Sequence, residues 1–124
     1  MGENTQKIIL AVDDEPLNIR MIQFVMKDER NYKLVCTNSG KEALSLLEEQ
    51  NIDLVLLDVK MPEMDGFETL EKIQEKYSVP VVFLTADQDA ETIQRAADMG
   101  VKNYLSKPFL PADLKKIVKA VLDE

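Results

Sequence analysis

The most regular pattern along the chain is an alternation of short apolar runs with longer stretches in which apolar residues recur every three or four positions. The short runs are continuous rather than alternating in polarity, which is typical of strands buried on both faces. The longer stretches have the spacing of amphipathic helices. The runs predict five strands, at residues 8–12, 33–36, 53–58, 81–84 and 103–105.

Five helices are predicted between and after these strands, from helical spacing and from residues that favour helix ends. The last helix has the strongest apolar pattern, and the fourth has the thinnest apolar face. The predicted helices are one after Pro16 to about residue 27 with Leu17, Met21, Phe24 and Val25; one at 41–50 with Ser39 as N-cap and Ala43, Leu44 and Leu47 on one face; one carrying Phe67, Leu70, Ile73 and Tyr77; one at 89–99 ended by Gly100, with Ile93, Ala96 and Ala97 inward; and one opened by Pro111 with Leu114, Ile117, Val118, Val121 and Leu122.

This alternation predicts the α/β class, a single doubly wound domain with a parallel sheet covered by helices on both faces. We expect the domain to span residues 1–124, with its core at about 7–122. Right-handed crossovers place the carboxyl ends of all the strands at one edge of the sheet. Ligands of such sheets bind at that edge.

Polar side chains of complementary chemistry follow four of the strands. They are Asp13 and Asp14 after the first, Asp58 at the end of the third, Thr85 after the fourth and Lys107 after the fifth. Each has an ordinary structural explanation when taken alone, such as a helix cap, a turn or a solvated charge. Their convergence on one edge is what favours a site. Asp58 is followed by a loop marked by Pro62 and by a tight turn at 65–66.

Three crowded carboxylates repel one another, at on the order of 4 kcal/mol for two unit charges about 4 Å apart near a protein surface. A divalent cation removes this cost, and oxygen ligands with positions left for water suit Mg²⁺. A carboxylate next to Mg²⁺ and a lysine can attack phosphorus, because the metal and the ammonium absorb charge on the transferring group. The residues therefore predict an aspartyl phosphate.

Composition excludes several other functions. The chain has no histidine, so Ser-His and Cys-His nucleophiles and histidine metal ligands are absent. Its single cysteine, Cys36, excludes an internal disulfide framework, and we expect a buried, unreactive thiol. The formal net charge of −8 argues against direct nucleic-acid binding by this domain, although a basic output domain could be attached. The apolar runs are too short to cross a bilayer, and we expect a cytoplasmic protein with no membrane partner.

The chain resembles the receiver domain of two-component response regulators, the CheY-like family. Four motifs carry the resemblance, which extends over about residues 7–122. They are Val12-Asp13-Asp14-Glu15-Pro16, Asp58 with Met61-Pro62-Glu63-Met64-Asp65-Gly66, Thr85-Ala86, and Lys107-Pro108-Phe109. The resemblance implies a flavodoxin-like fold with strand order 2-1-3-4-5. It also implies a cis bond between Lys107 and Pro108.

The resemblance further implies a role for each site residue. Asp58 would accept a phosphoryl group from a phosphohistidine of a histidine kinase or histidine phosphotransfer protein. Mg²⁺ would be held by Asp13, Asp14, Asp58 and the backbone carbonyl of Lys60, and Lys107 would pair with a phosphoryl oxygen. Asp58, Lys107 and Thr85 would thus be the catalytic residues of a phosphorylation and dephosphorylation that the chain performs on itself. Because no separate substrate would be turned over, we do not expect an enzyme.

Switching and docking residues are implied in the same way. Thr85 would move its hydroxyl onto the phosphoryl group, and Tyr104 would turn inward. Two tuning positions, Lys60 and Asp87, would set the rate at which water removes the phosphoryl group. A kinase would dock near Leu17, Asn18 and Met21, and an unknown output partner or output domain would read the face of the last two helices and Tyr104.

Two other functions stay open. One is a degenerate receiver that acts as an interaction module without phosphorylation. The other is a Mg²⁺-dependent phosphatase of the haloacid dehalogenase type, which needs a second acid two residues after the nucleophile, where this chain has Lys60. A calcium loop is excluded because 58–60 lacks the alternating oxygen ligands of an EF-hand.

Overall fold

The computed structural model describes residues 6–86 and 89–123, and within these ranges strands and helices alternate five times. The elements, in chain order, are β1 (Lys7–Val12), α1 (Pro16–Met26), β2 (Tyr32–Thr37), α2 (Gly40–Glu49), β3 (Leu54–Asp58), α3 (Gly66–Lys76), β4 (Val81–Thr85), α4 (Ala90–Asp98), β5 (Asn103–Ser106) and α5 (Pro111–Leu122). Every predicted strand and helix is present, with ends within one or two residues of the prediction.

The five strands form one parallel sheet in the order β2-β1-β3-β4-β5. β1 and β3 are adjacent, with Val12 beside Leu57 in register. β3 pairs with β4 so that Asp58 lies beside Leu84, and β4 pairs with β5 so that Thr85 lies beside Ser106. The strands that carry the candidate site residues are therefore neighbours, and their carboxyl ends share one edge.

Two apolar cores lie on opposite faces of the sheet, because successive side chains of a strand point to opposite sides. In β1, Ile9 and Ala11 pack with α1 and α5, while Leu10 and Val12 pack with α2 and α3. All four side chains are fully buried. This two-sided burial is the physical reason that the strands read as continuous apolar runs.

The predicted inner face of α1 is wrong in part. Val25 is buried as expected, but Leu17 is 76% exposed, Phe24 is 65% exposed and Met21 is partly exposed. The buried residues of the helix are instead Ile22, Val25 and Met26. The apolar residues of α1 cover more than one side of the helix, so spacing alone could not identify the packed side.

Two further burial predictions need correction. Ala97 of α4 is exposed, and within that helix, all of whose residues are described, Ala96 is the one buried side chain. Cys36 is half-buried rather than buried, because β2 is an edge strand that α1 covers only in part. Burial nevertheless raises the pKa of the Cys36 thiol, which agrees with the expected low reactivity.

Helix ends follow the predicted signals. Ser39 caps α2 by accepting a hydrogen bond from the backbone N–H of Glu42. Gly100 follows α4 with φ at +87°, a conformation that glycine adopts without strain. The Lys107-Pro108 peptide bond is cis, as expected. Among the helices of residues 6–86 and 89–123, none has the length and apolar character needed to cross a membrane.

Candidate functional site

Three carboxylates meet at the carboxyl edge of the sheet. Asp13 and Asp14 directly follow β1, and Asp58 ends the adjacent β3. Each offers an oxygen atom, and these three atoms all lie within 4.8 Å of one another. Asp13 and Asp58 are buried and Asp14 is half-buried, so the cluster is open to solvent on the Asp14 side.

Lys107 places its ammonium between two of these carboxylates. Its Nζ lies 2.9 Å from Asp13 Oδ2 and 2.9 Å from Asp58 Oδ1. The lysine is anchored at its backbone, where its N–H donates a 2.9 Å hydrogen bond to the carbonyl oxygen of Thr85. One largely buried ammonium thus contacts two of the three acidic groups.

The electrostatics of the cluster leave an excess of negative charge. Burial is the largest cause that raises the pKa of Asp58 from 3.8 to about 7; the charge of Asp13 also raises it, and the hydrogen bond from Lys107 lowers it. Burial would lower the pKa of Lys107, but its bonds to Asp13 and Asp58 outweigh burial and the pKa is raised. In the absence of a metal, Lys107 therefore keeps its proton while Asp58 is hard to ionise.

The donor set fits a hard cation such as Mg²⁺. Asp13 Oδ1 accepts a 2.9 Å hydrogen bond from the backbone N–H of Glu15, which fixes the carboxylate. Asp13 Oδ2 is buried, and the Lys107 ammonium 2.9 Å away is the single partner that the described residues give it. An under-satisfied buried carboxylate oxygen within reach of two other carboxylates matches the oxygen-rich sites that Mg²⁺ prefers.

The loop after Asp58 is held tightly against the strand end by the start of α3. The backbone N–H of Gly66 donates a 2.8 Å hydrogen bond to the carbonyl of Val59. A Cβ on Gly66 would lie 2.4 Å from the carbonyl oxygen of Asp58, so only glycine allows this approach. Asp65 caps α3 reciprocally with Glu68. The predicted turn is therefore also a helix start, and the close contact with Asp58 was not predicted from the sequence.

The remaining predicted site residues are arranged around this cluster. Thr85 ends β4 and is buried, and Tyr104 in β5 is half-buried and packs at the margin of the core that contains Phe83. Lys60 is exposed two residues after Asp58. Asp87, the other predicted tuning residue, lies outside the described residues.

Comparison with known proteins identifies the family. A family model described as the response regulator receiver domain matches residues 9–119. The chain belongs to this family. The fold, with five parallel strands in the order 2-1-3-4-5 and five helices, is the flavodoxin-like fold of CheY-like receivers.

Curated relatives span nearly the whole chain. The chain is 35% identical over 122 residues to the transcriptional regulatory protein ResD of Bacillus subtilis, a match that covers 98% of this chain and 50% of ResD. It is 40% identical over 117 residues to an uncharacterised 14.6 kDa protein of Leptolyngbya boryana, covering 92% and 88% of the two chains. The chain spans about half the length of several transcriptional regulators that it matches.

Solved structures agree with this assignment. The chemotaxis protein CheY4 of Vibrio cholerae is 31% identical, with a TM-score of 0.87 over 95% of this chain and 100% of CheY4. The receiver domain of the sensor histidine kinase PA1611 of Pseudomonas aeruginosa is 27% identical, with a TM-score of 0.86 over 97% and 100%. That structure has a magnesium ion coordinated in its active site cleft.

Family membership establishes the general role. Receiver domains of two-component response regulators are signalling switches rather than enzymes that turn over a separate substrate. They bind Mg²⁺ at their acidic site, and response regulators interact with histidine kinases. The acidic cluster of Asp13, Asp14 and Asp58 is where this chain can hold the ion.

Proposed function

We propose that Asp58 is the phosphoacceptor of a phosphorylation-activated switch and that its donor is a phosphohistidine on a histidine kinase or phosphotransfer protein. The observation that carries the proposal is the cluster itself. A buried carboxylate at a strand end lies within reach of two other carboxylates and 2.9 Å from a lysine ammonium.

The reaction follows from the positions of these groups. One oxygen of Asp58 forms a bond to phosphorus while the bond from phosphorus to the donor's imidazole nitrogen breaks. The nitrogen keeps the electron pair, and the imidazole takes up a proton. When bound, Mg²⁺ would be held by Asp13, Asp14, Asp58 and the backbone carbonyl of Lys60, and it would neutralise charge on the phosphoryl oxygens.

Lys107 acts at two stages of this proposal. Before transfer, its ammonium balances the charge of Asp13 and Asp58. Once Asp58 carries a phosphoryl group, the ammonium is close enough to pair with one of the new oxygens, a charge-assisted contact that is stronger than a neutral hydrogen bond. Its fixed backbone, bonded to Thr85, limits how far it moves.

The switch is proposed to work through the neighbouring strand ends. A phosphoryl group adds roughly −1.5 to −2 of charge and several acceptor oxygens. The Thr85 hydroxyl moves toward these oxygens, and Tyr104 turns into the space that is left. The face formed by α4, β5 and α5 then changes its equilibrium position and is read by the output partner or output domain.

The donor is proposed to dock on α1. Leu17 and Met21 lie on successive turns and are exposed, which is unusual for large apolar side chains on one helix face. Asn18 lies beside them, with its Nδ2 donating a 3.2 Å hydrogen bond to Glu15 Oε1. Replacing Leu17 with Ser should weaken transfer from a phosphorylated kinase and leave transfer from a small phosphodonor unchanged.

Lys60 is proposed to slow the loss of the phosphoryl group to water, together with Asp87. Lys60 is exposed next to the site, and its charge contributes to the low pKa of Asp89, which is set mainly by hydrogen bonds from Thr92. An unchanged dephosphorylation rate in Lys60→Ala would contradict this role.

The proposed function is tested by intact-mass measurement after incubation with phosphoramidate, which contains a P–N bond as phosphohistidine does, with Mg²⁺ or with EDTA. We expect one added phosphoryl group in Mg²⁺ and none in EDTA or in Asp58→Asn. Asp28→Asn, which changes an exposed aspartate just after the C-terminal end of α1, is the control. No adduct together with no Mg²⁺-dependent beryllofluoride binding would favour an interaction module that works without phosphorylation.

A further inference from the structure

Few side chains of α4 pack against the rest of the molecule, and the charged side chain of Arg95 provides one of these contacts. Among the residues of α4, all of which are described, Ala96 alone is buried. At the end of the helix, Gln74 Nε2 donates a 2.6 Å hydrogen bond to the carbonyl of Met99. In the middle, the guanidinium carbon of Arg95 lies 4.1 Å from the centroid of the Phe67 ring. This distance is within the range of a cation–π interaction.

Phe67 connects this contact to the centre of the sheet. Its ring meets the Phe83 ring edge-on, with centroids 5.2 Å apart and an interplanar angle of 70°. Phe83 is buried in β4 between Leu57 and Tyr104, its partners in register on the two neighbouring strands. Arg95 thus stacks on Phe67, whose partner Phe83 lies beside Tyr104, the residue that is expected to turn inward.

The same ring is fixed relative to the phosphoacceptor backbone. Phe67 directly follows Gly66, whose Cα approaches the Asp58 carbonyl too closely to permit a side chain. The position of Phe67 is therefore tied to the backbone of Asp58, and α4 is tied to Phe67 through Arg95. The side of α4 that faces the loop after Asp58 borders a cavity of about 510 Å³, lined in part by Arg95, Thr92, Met61 and Pro62. This side of α4 is therefore bordered by open space rather than by packed side chains.

We propose that Arg95 is a positioning residue that holds α4 in its resting position by stacking on Phe67. The inference rests on the proposed function, in which α4 belongs to the face that changes on phosphorylation. In this structure the Lys107 ammonium pairs with Asp13 and Asp58 themselves, which is the arrangement proposed above for the protein before transfer, so the stack is assigned to the resting arrangement. Loss of the stack frees α4 and shifts the equilibrium toward the activated arrangement.

The first test is amide hydrogen exchange of the unphosphorylated protein, which requires no ligand. Arg95→Met keeps an unbranched apolar side chain at this position and removes the guanidinium. Ala97→Met is the matched control on the same helix, since it introduces the same residue at an exposed position. We expect exchange in α4 to be about three- to tenfold faster in Arg95→Met, with α5 unchanged and the Ala97→Met protein close to wild type. Equal exchange in the two variants would overturn the proposal.

The second test separates positioning from simple loss of stability. Beryllofluoride with Mg²⁺ serves as the probe of the activated arrangement, and its affinity is measured by titration. We expect Arg95→Met to bind beryllofluoride about three- to tenfold tighter than wild type does, because less free energy is needed to release α4 from its resting position. A helix that is merely less stable would show faster exchange with unchanged or weaker affinity, which would overturn the proposal.

A double-mutant cycle identifies the partner. Phe67→Leu removes the ring, and if Arg95 acts through that ring, Arg95→Met should have little further effect on exchange in the Phe67→Leu background. Additive effects would contradict the stack. Failure of the wild-type protein to bind beryllofluoride would count against the proposed function, and the exchange measurement and the cycle would then decide the role of Arg95 separately.

Discussion

Replacing Asp58 with Asn should stabilise the metal-free protein at alkaline pH, because the ionised carboxylate is unfavourable in the folded state. Its pKa rises from 3.8 to about 7, chiefly through burial. At about 1.4 kcal/mol for each tenfold change in proton affinity, this difference corresponds to on the order of 4 kcal/mol. This figure already includes the favourable interaction of the ionised carboxylate with Lys107, which lowers the pKa of Asp58, so nothing further is subtracted for the loss of that contact.

The sign of the pH dependence follows from proton binding. Between pH 3.8 and about 7, Asp58 has lost its proton in the unfolded chain but keeps it in the folded protein, so stability falls as pH rises. The Asn variant does not have this loss. We therefore expect the Asn variant to be more stable than wild type by about 1.5 kcal/mol near pH 5 and by about 4 kcal/mol near pH 8.

The assay is urea unfolding in EDTA at these two pH values, supported by thermal unfolding. An advantage of about 4 kcal/mol corresponds to a melting temperature higher by about 15 °C for a domain of this size. Asp28→Asn, an exposed aspartate of the same chemistry, should differ from wild type by less than about 0.5 kcal/mol at either pH. An Asn variant at position 58 that is no more stable than wild type near pH 8 would refute the reasoning about buried charge.

Three further predictions concern the same cluster. Lys107→Met should destabilise the metal-free protein by about 3 kcal/mol in urea unfolding near pH 8, because Asp13 and Asp58 lose the cation between them, and Mg²⁺ should restore part of this loss. Mg²⁺ affinity measured by calorimetry should fall as pH drops below about 7, the pKa of Asp58, since protons compete for the carboxylate; a pH-independent affinity would contradict this. Gly66→Ala should cost about 3 kcal/mol and slow phosphorylation, since its Cβ would lie 2.4 Å from the Asp58 carbonyl oxygen, whereas Gly100→Ala should cost only about 1 kcal/mol, from its positive φ, and leave phosphorylation unchanged.

The fold was largely predictable because its determinants are local. Strands buried on both faces, such as β1 and β3, contain no polar residue in their interior, so their ends can be located in the sequence. The ends of helices are indicated by Ser39, Gly100 and Pro111. The carboxyl ends of parallel strands meet at one edge whatever the details of packing. The convergence of the predicted site residues on that edge followed from the same rule.

Packing choices were harder to predict, because they depend on neighbours that the chain does not specify locally. Leu17 and Phe24 have the spacing of core residues, yet α1 packs through Ile22 and Val25 and leaves them exposed. Ala97 is compatible with either side of a helix, since a single methyl group has little preference. Periodicity locates a helix but does not select its buried side when several sides are apolar.

Contacts between backbone and side chains across elements also left no clear pattern in the sequence. The close approach of Gly66 to Asp58 needs the three-dimensional path of the loop, although a glycine directly after an N-cap aspartate was a usable signal. The stack of Arg95 on Phe67 joins residues from two helices that are separated by a strand. Such contacts depend on the crossing of elements and are seen only once the fold is known.

The central claim is that the carboxylate of Asp58, rather than that of Asp13 or Asp14, forms the acyl phosphate. Hydroxylamine attacks an acyl phosphate at its carbonyl carbon and leaves a stable hydroxamate on the residue that carried the phosphoryl group. The protein is phosphorylated with phosphoramidate and Mg²⁺, treated with hydroxylamine, digested and sequenced by tandem mass spectrometry. We expect a hydroxamate at Asp58 that is absent without phosphoramidate or without Mg²⁺. A hydroxamate at Asp13 or Asp14, or none at any aspartate, would contradict the account.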